Sequence, residues 1–508
     1  MTLPLRVNGR AVEVPDDGAS LLEVLRDRLG LRAAKDGCSP QGQCGCCTVW
    51  VDGVPRVACV TPARRVAGRD VVTLEGLPAD ERRAWGEAFC ATGGSQCGFC
   101  TPGIVMRLAA LRAAGRGPEQ VDDALLAHLC RCTGWRTIGE AFAAVGTDHP
   151  PRDLAAAAHR ATIEGGTTQR VDPSVPLGEG GFADDTAPAD ALVAVPDGQG
   201  GWAVGETLTE ARAAAGKVQG RRTTIPVRHP LDVPPGEWAV TLRTTWVEPA
   251  YLEPDASWCA PGGQPAPPLA NGGAFGGKTS SPVGAVARRL ADEHGRPVRV
   301  LLSREDVVRT GPKRPPVAAG VRADGTGHLC AVRTPGWAAA VHAQAPGLSV
   351  EEVDATGPST STAFRACGWG EAAVLLAAVT GEPTVRSPGG ATAEASYTGD
   401  GIAVRVACGD PLDEVTLRSY CVGAAHMALG WVTSEGIAVD DAGEVHDLTI
   451  RSFGILRARD MPPVEVEIVP SDGPPVNGSD AVFVAVAAAA WRATGHRPDW
   501  PTGPIPPG

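Results

Sequence analysis

Ten of the fifteen cysteines in this 508-residue chain fall between Cys38 and Cys132, and their spacing is that of metal ligands. The first set, Cys38, Cys44, Cys47 and Cys59, runs C-x5-C-x2-C-x11-C. Three thiolates from one loop and a fourth from a hairpin suit a [2Fe–2S] cluster, and the loop is one residue longer than the C-x4-C-x2-C of plant-type ferredoxins. Gly37, Gly42 and Gly45 give its backbone the freedom to bend round sulfides. Cys46 competes formally with its neighbours and is read as a bystander, because the x2 pair fits the pattern. The second set is Cys97, Cys100, Cys130 and Cys132, a C-x2-C at a helix start and a C-x-C at a later helix end. Cys90, seven residues earlier, is read as a packing thiol. Zinc held by four cysteines is the other reading, although zinc sites are typically built from two C-x2–4-C pairs.

The elements that must hold these ligands are legible around them. Residues 1–78 read as a β-rich domain with one helix. Asn8-Gly9 and Asp52-Gly53 between apolar alternations signal type I′ hairpins, and Ser20-Leu-Leu-Glu23 is a capping box opening a helix that stops at Gly30. This pattern predicts a β-grasp arrangement. Residues 79–147 turn helical, with segments expected near 79–91, 103–114, 118–129 and 137–145. A linker is expected over 148–185 and an α+β region over 186–508. Within that region lie a Pro/Gly loop at 253–273, helix-like runs at 281–294 and 365–380, a strand over Val464–Val469 and an apolar helix over 482–494.

Composition narrows the function classes. A net charge of −12 disfavours nucleic acid and anionic membranes as partners. The start lacks a signal-peptide pattern and no apolar run is long enough to span a bilayer, so a cytoplasmic chain with reduced thiols is expected.

The strings QCGFCTPG (96–103) and LCRCTGW (129–135), following the β-grasp cluster loop, resemble the iron–sulfur portion of the molybdenum hydroxylases. This is the family of xanthine dehydrogenase, aldehyde oxidoreductase and the carbon monoxide dehydrogenase small subunit. The resemblance implies two [2Fe–2S] clusters on the eight cysteines, with Gln96 and Cys132 beside the pterin of a molybdopterin cofactor. It continues in pieces. GGAFGGK (272–278) is similar to the family's glycine loop, implying cofactor contacts at Gly273, Phe275, Gly276 and Gly277, with Ala274 in place of a glycine. AFRACGWGE (363–371) is similar to its R-G-F-G segment, placing Arg365 near substrate or cofactor. Asp480, in Asn477-Gly-Ser-Asp480, stands where the family's catalytic glutamate is expected; it acts either as the base or as the cap of the helix near Val482.

The 358 residues after position 150 are too few for the family's complete molybdenum subunit, and no counterpart of its glutamine-bearing loop is present. Two functions follow. One is an iron–sulfur oxidoreductase passing electrons from a molybdopterin centre through two clusters to an external acceptor, during aldehyde or N-heterocycle hydroxylation. The other is a non-catalytic electron-transfer and docking subunit whose degenerate second half works with a complete partner. Expected partners are a flavin subunit or other electron acceptor and a complete molybdenum subunit, in a homo- or hetero-oligomer. No FAD fold is expected in the chain, since no G-x-G-x-x-G follows a strand.

Overall fold

The computed structural model describes residues 1–216, 225–268 and 272–505. Both hairpins form as expected. Asn8 and Gly9 have φ of 52° and 77°, Asp52 and Gly53 of 49° and 74°, the left-handed pairs that a two-residue I′ turn requires. They join Thr2–Val7 to Arg10–Pro15 and Thr48–Val51 to Val54–Val57. Asp70–Val72 completes a five-stranded sheet, lying parallel to Thr2–Val7 and antiparallel to Thr48–Val51. The helix across it departs from the expected form. Ser20 caps Glu23 N at 3.2 Å, but Glu23 turns away to accept from Thr209. After one α turn, Leu21–Glu23, the coil widens to a π stretch over Val24–Arg28.

The helical cysteine unit has three substantial helices, Ala79–Thr92, Thr101–Ala113 and Arg136–Ala144. The expected helix over 118–129 is corrected to a 3₁₀ turn and one α turn ending at Ala124. Beyond it the chain leaves helical form to reach the first cysteine loop, where Leu129 N–H donates to Cys44 C=O at 3.0 Å. That contact, far apart in sequence, overrides local helical preference.

Past residue 148 the stretch read as linker contains the helix Leu154–Gly165, and its Arg160 and Glu164 side chains are fully enclosed. The expected Pro/Gly loop at 253–273 includes a strand, Ala256–Cys259, in a sheet with Val298–Leu301; its residues 269–271 lie outside the described set. Two further four-stranded sheets follow. The last packs on the helices Glu414–Thr433 and Ser479–Ala493, both almost wholly buried. The whole is a mixed α+β fold. Among the described residues no helix is long and apolar enough to cross a membrane.

Candidate functional site

Eight cysteine sulfurs gather in two quartets. In the first, Cys38 lies between Cys44 and Cys59. Hydrogen bonds from those two thiols hold Cys38 well below the ordinary thiol range, and the same contacts hold Cys44 and Cys59 above it. Cys59 in turn touches Cys47, so the order around the site is Cys44, Cys38, Cys59, Cys47. In the second quartet Cys130 is lowered by hydrogen bonds from Cys100 and Cys132, which it raises. Cys132 also lies 3.6 Å from Cys97, sulfur to sulfur. Backbone N–H groups of Gln41 and Gln43 point at Cys38 sulfur, at 3.3 and 3.5 Å, and that of Cys59 at Cys47 sulfur.

This is the donor set of thiolate-ligated iron: four sulfurs brought together from two stretches of chain, with backbone N–H groups facing them. Among the described residues, no three His, Cys, Asp or Glu side chains close on a point that one metal ion would fill. A [2Fe–2S] cluster spreads four thiolates over two irons, and each quartet offers four. The residues present fit two such clusters.

The quartets are connected. Cys44 accepts from the N–H of Leu129, which is bonded directly to Cys130. Gly103, in the helix that follows Cys100, packs so closely on the Gly45–Cys46 backbone that a Cβ there would meet Gly45 O at 2.3 Å. Cys46, read as a bystander, is fully buried between the quartets. A hydrogen bond from Cys44 works to lower its thiol; burial, with negative charge on Cys38 and Cys130, nevertheless leaves it raised. Cys90 is half-buried.

The residues assigned to a molybdopterin are differently engaged. Gln96 donates through Nε2 to Cys132 O and Ser419 Oγ, both at 3.0 Å, while its Oε1 is buried with no hydrogen-bond partner among the described residues. The helix Glu414–Thr433 lies directly on this wall. A Cβ on Gly423 would fall 1.7 Å from Cys132 O, and one on Gly134 2.5 Å from Val422 O. Tyr420 from the same helix is 1% exposed. Burial raises its phenol, and the sulfurs of Cys132 and Cys97 lie beside it. Its ring meets Phe275 edge-on at 6.1 Å.

The glycine loop is likewise turned on its own chain. A Cβ on Gly276, at φ 84°, would fall 1.6 Å from Ala363 O, and one on Gly277 2.2 Å from Pro249 Cβ. Gly273 sits in the 3₁₀ turn Gly272–Ala274. Lys278, closing the motif, is buried in an ion pair with Glu253 at 3.0 Å. Arg365 stacks over Phe275 at 4.1 Å, donates to Ser479 Oγ at 3.0 Å and pairs with Asp480 at 3.0 Å.

Asp480 is not the cap of the last helix, which begins at Ser479; Asn477 Oδ1 accepts from Asp480 N at 2.9 Å instead. Burial pushes the Asp480 carboxyl up, against the opposing pull of Arg365. Glu164 was not visible as a site residue. Its carboxylate receives Gly478 N–H and Ser479 N–H at 3.1 and 2.9 Å and is held by Arg160; only the i,i+4 spacing of Arg160 and Glu164 hinted at it.

The space left among these groups decides whether a pterin fits. The cavity between Phe275, Phe364, Arg365, Trp431 and Phe483 is about 30 Å³, and that beside Gln96, Ser419 and Tyr420 about 20 Å³. Each is of the order of a single water, far below the ~300 Å³ at which ligand pockets begin. As packed, these residues do not fit a molybdopterin.

Three family descriptions match the chain: a 2Fe-2S iron-sulfur cluster binding domain over residues 5–65, a [2Fe-2S] binding domain over 73–143, and a molybdopterin cofactor-binding domain over 269–352. The nicotinate dehydrogenase small FeS subunit of Eubacterium barkeri is 37% identical over 139 residues, which are 27% of this chain and 88% of that protein. Xanthine dehydrogenase 1 of Arabidopsis thaliana is 41% identical over 158 residues, 27% of this chain but only 11% of that protein. The chain thus spans about a tenth of the xanthine dehydrogenases it matches. In fold, aldehyde oxidoreductase from Desulfovibrio gigas superposes with a TM-score of 0.71 at 16% identity, covering 99% of each chain.

Proposed function

Because this chain belongs to the molybdenum hydroxylase family of oxidoreductases, with xanthine dehydrogenase and aldehyde oxidoreductase, we propose that it conducts electrons through two [2Fe–2S] clusters from a molybdopterin centre to an external acceptor. Cys38, Cys44, Cys47 and Cys59 hold one cluster in this reading, and Cys97, Cys100, Cys130 and Cys132 the other. A molybdopterin centre of the family's kind would supply the two-electron oxidation of an aldehyde or N-heterocycle carbon. What this chain's residues do is bind the irons, insulate them and join them.

The observation that carries the reading is the hydrogen bond from Leu129 N–H to Cys44 C=O at 3.0 Å. It links a ligand of one quartet to the residue bonded to a ligand of the other, so an electron crosses a single hydrogen bond between backbones. Burial of seven of the eight cysteines, Cys97 being half-buried, keeps water and oxidants from the sulfides. A flavin subunit or another one-electron carrier is the acceptor we assign, working in a cytoplasmic oligomer where thiols stay reduced.

The test is anaerobic reduction of the purified chain with dithionite, followed by back-titration with ferricyanide while the visible sulfur-to-iron absorption is followed. Two one-electron equivalents per chain are expected. A chain that takes up none, or shows no such absorption, contradicts the proposal.

A further inference from the structure

We infer that this chain does not house a molybdopterin: Tyr420 and the helix Glu414–Thr433 fill the place beside Gln96 and Cys132, and electrons enter the helical cluster from a centre in another chain. The inference rests on the two-cluster reading and goes beyond it in placing the source of the electrons. The resemblance sets the pterin against Gln96 and Cys132 on one side and the glycine loop on the other. Here those two sides are joined through the chain itself. Gln96 spends its amide N–H groups on Cys132 O and Ser419 Oγ. Gly423 lies so close to Cys132 O that even a methyl group cannot enter. From the other side Phe275 meets the Tyr420 ring.

The helix is not a loose cover that a cofactor could displace. Just past its C-terminal end, the Glu435 carboxylate receives both terminal nitrogens of Arg131, one of them at 2.8 Å, and both side chains are almost fully buried. Arg131 sits between the cluster ligands Cys130 and Cys132. Removing the helix would strand two charges in a dry interior, which is far costlier than breaking a surface pair. Further along, Arg314 stacks on Trp431 at 4.0 Å and Trp431 on Phe483 at 5.3 Å, closing the space next to Arg365. Three separate surfaces therefore agree: the wall by the cluster, the glycine loop, and the arginine–aspartate pair at the last helix.

The electron balance follows. A partner centre that loses two electrons passes them one at a time to the helical cluster, which hands each to the β-grasp cluster and so to the acceptor, and no bond in this chain is made or broken.

The experiment is a metal and pterin count on the full chain purified from a host that makes molybdopterin. Iron of about four per chain is expected, with molybdenum and oxidised-pterin fluorescence at background. Molybdenum and pterin at one per chain overturn the inference. Iron missing or replaced by zinc sinks the two-cluster reading instead, so the two failures are told apart. The packing is tested separately by EPR of the reduced protein. Tyr420→Ala should alter the signal of the helical cluster and leave the β-grasp signal unchanged, while Tyr420→Phe, which keeps the ring, should change neither. If Tyr420→Ala leaves both signals as they were, the ring does not lie against the cluster and the inference fails.

Discussion

The two cysteine quartets and the glycine-loop region carry sequence signatures of one family, yet they use them differently. In residues 38–132 the side chains named by the motif point at each other, sulfur to sulfur. In residues 272–480 each named residue is satisfied by the chain: Gly276 by Ala363, Arg365 by Asp480 and Ser479, Lys278 by Glu253. The difference teaches that a motif marks a ligand site only while its groups converge on a common volume. Fold similarity survives the loss of that volume, because backbone packing and ligand cradling place separate demands on the same residues.

Substitutions can break or sharpen this contrast. The largest effect is expected from Cys130→Ser, which should remove about half the iron and one of the two reduced-state EPR signals. An unchanged spectrum would mean that Cys130 is not a ligand. Next is Glu435→Gln, which leaves the Arg131 guanidinium buried without its carboxylate; a loss of about 3–5 kcal/mol is expected in denaturant unfolding. Gly423→Ala presses a methyl onto Cys132 O and should cost roughly 1–3 kcal/mol, together with a perturbed helical-cluster signal. If that variant unfolds like the parent, the helix is not seated on the cluster wall.

The smallest effect is expected at Asp480. Burial raises its carboxyl in the folded chain, so as pH climbs from the ordinary carboxyl value of about 3.9 the unfolded chain loses its proton first. The parent therefore loses stability through that window up to the raised folded value. Asp480→Asn has no such proton, so its stability relative to the parent should improve as pH rises across the window, whatever the constant cost of unpairing Arg365. A difference independent of pH would mean that the carboxyl is not raised.

Legibility followed the range of the interactions. Two hairpins were readable because Asn8-Gly9 and Asp52-Gly53 settle their turns by local backbone preference. The quartets were readable because each carries a closely spaced C-x2-C pair, Cys44/Cys47 in one and Cys97/Cys100 in the other. By contrast, the run 118–129 loses its helix to the contact of Leu129 with Cys44, which no local pattern announces. The Ala-rich stretch 154–165 reads as linker because its apolar periodicity is weak. Yet Arg160 and Glu164 are spent inside the protein on the start of the final helix. Asp480 was expected as cap or base and is neither cap nor free, since Arg365, distant in sequence, holds it. The closure of the pterin place by Tyr420 depends wholly on such distant pairings.

The most direct test of the central claim is stepwise potentiometric reduction of the whole chain with EPR at each step. Two distinct [2Fe–2S] signals, each integrating to one spin per chain at full reduction, are the result this account requires. A single signal, or a silent protein containing zinc, would contradict it.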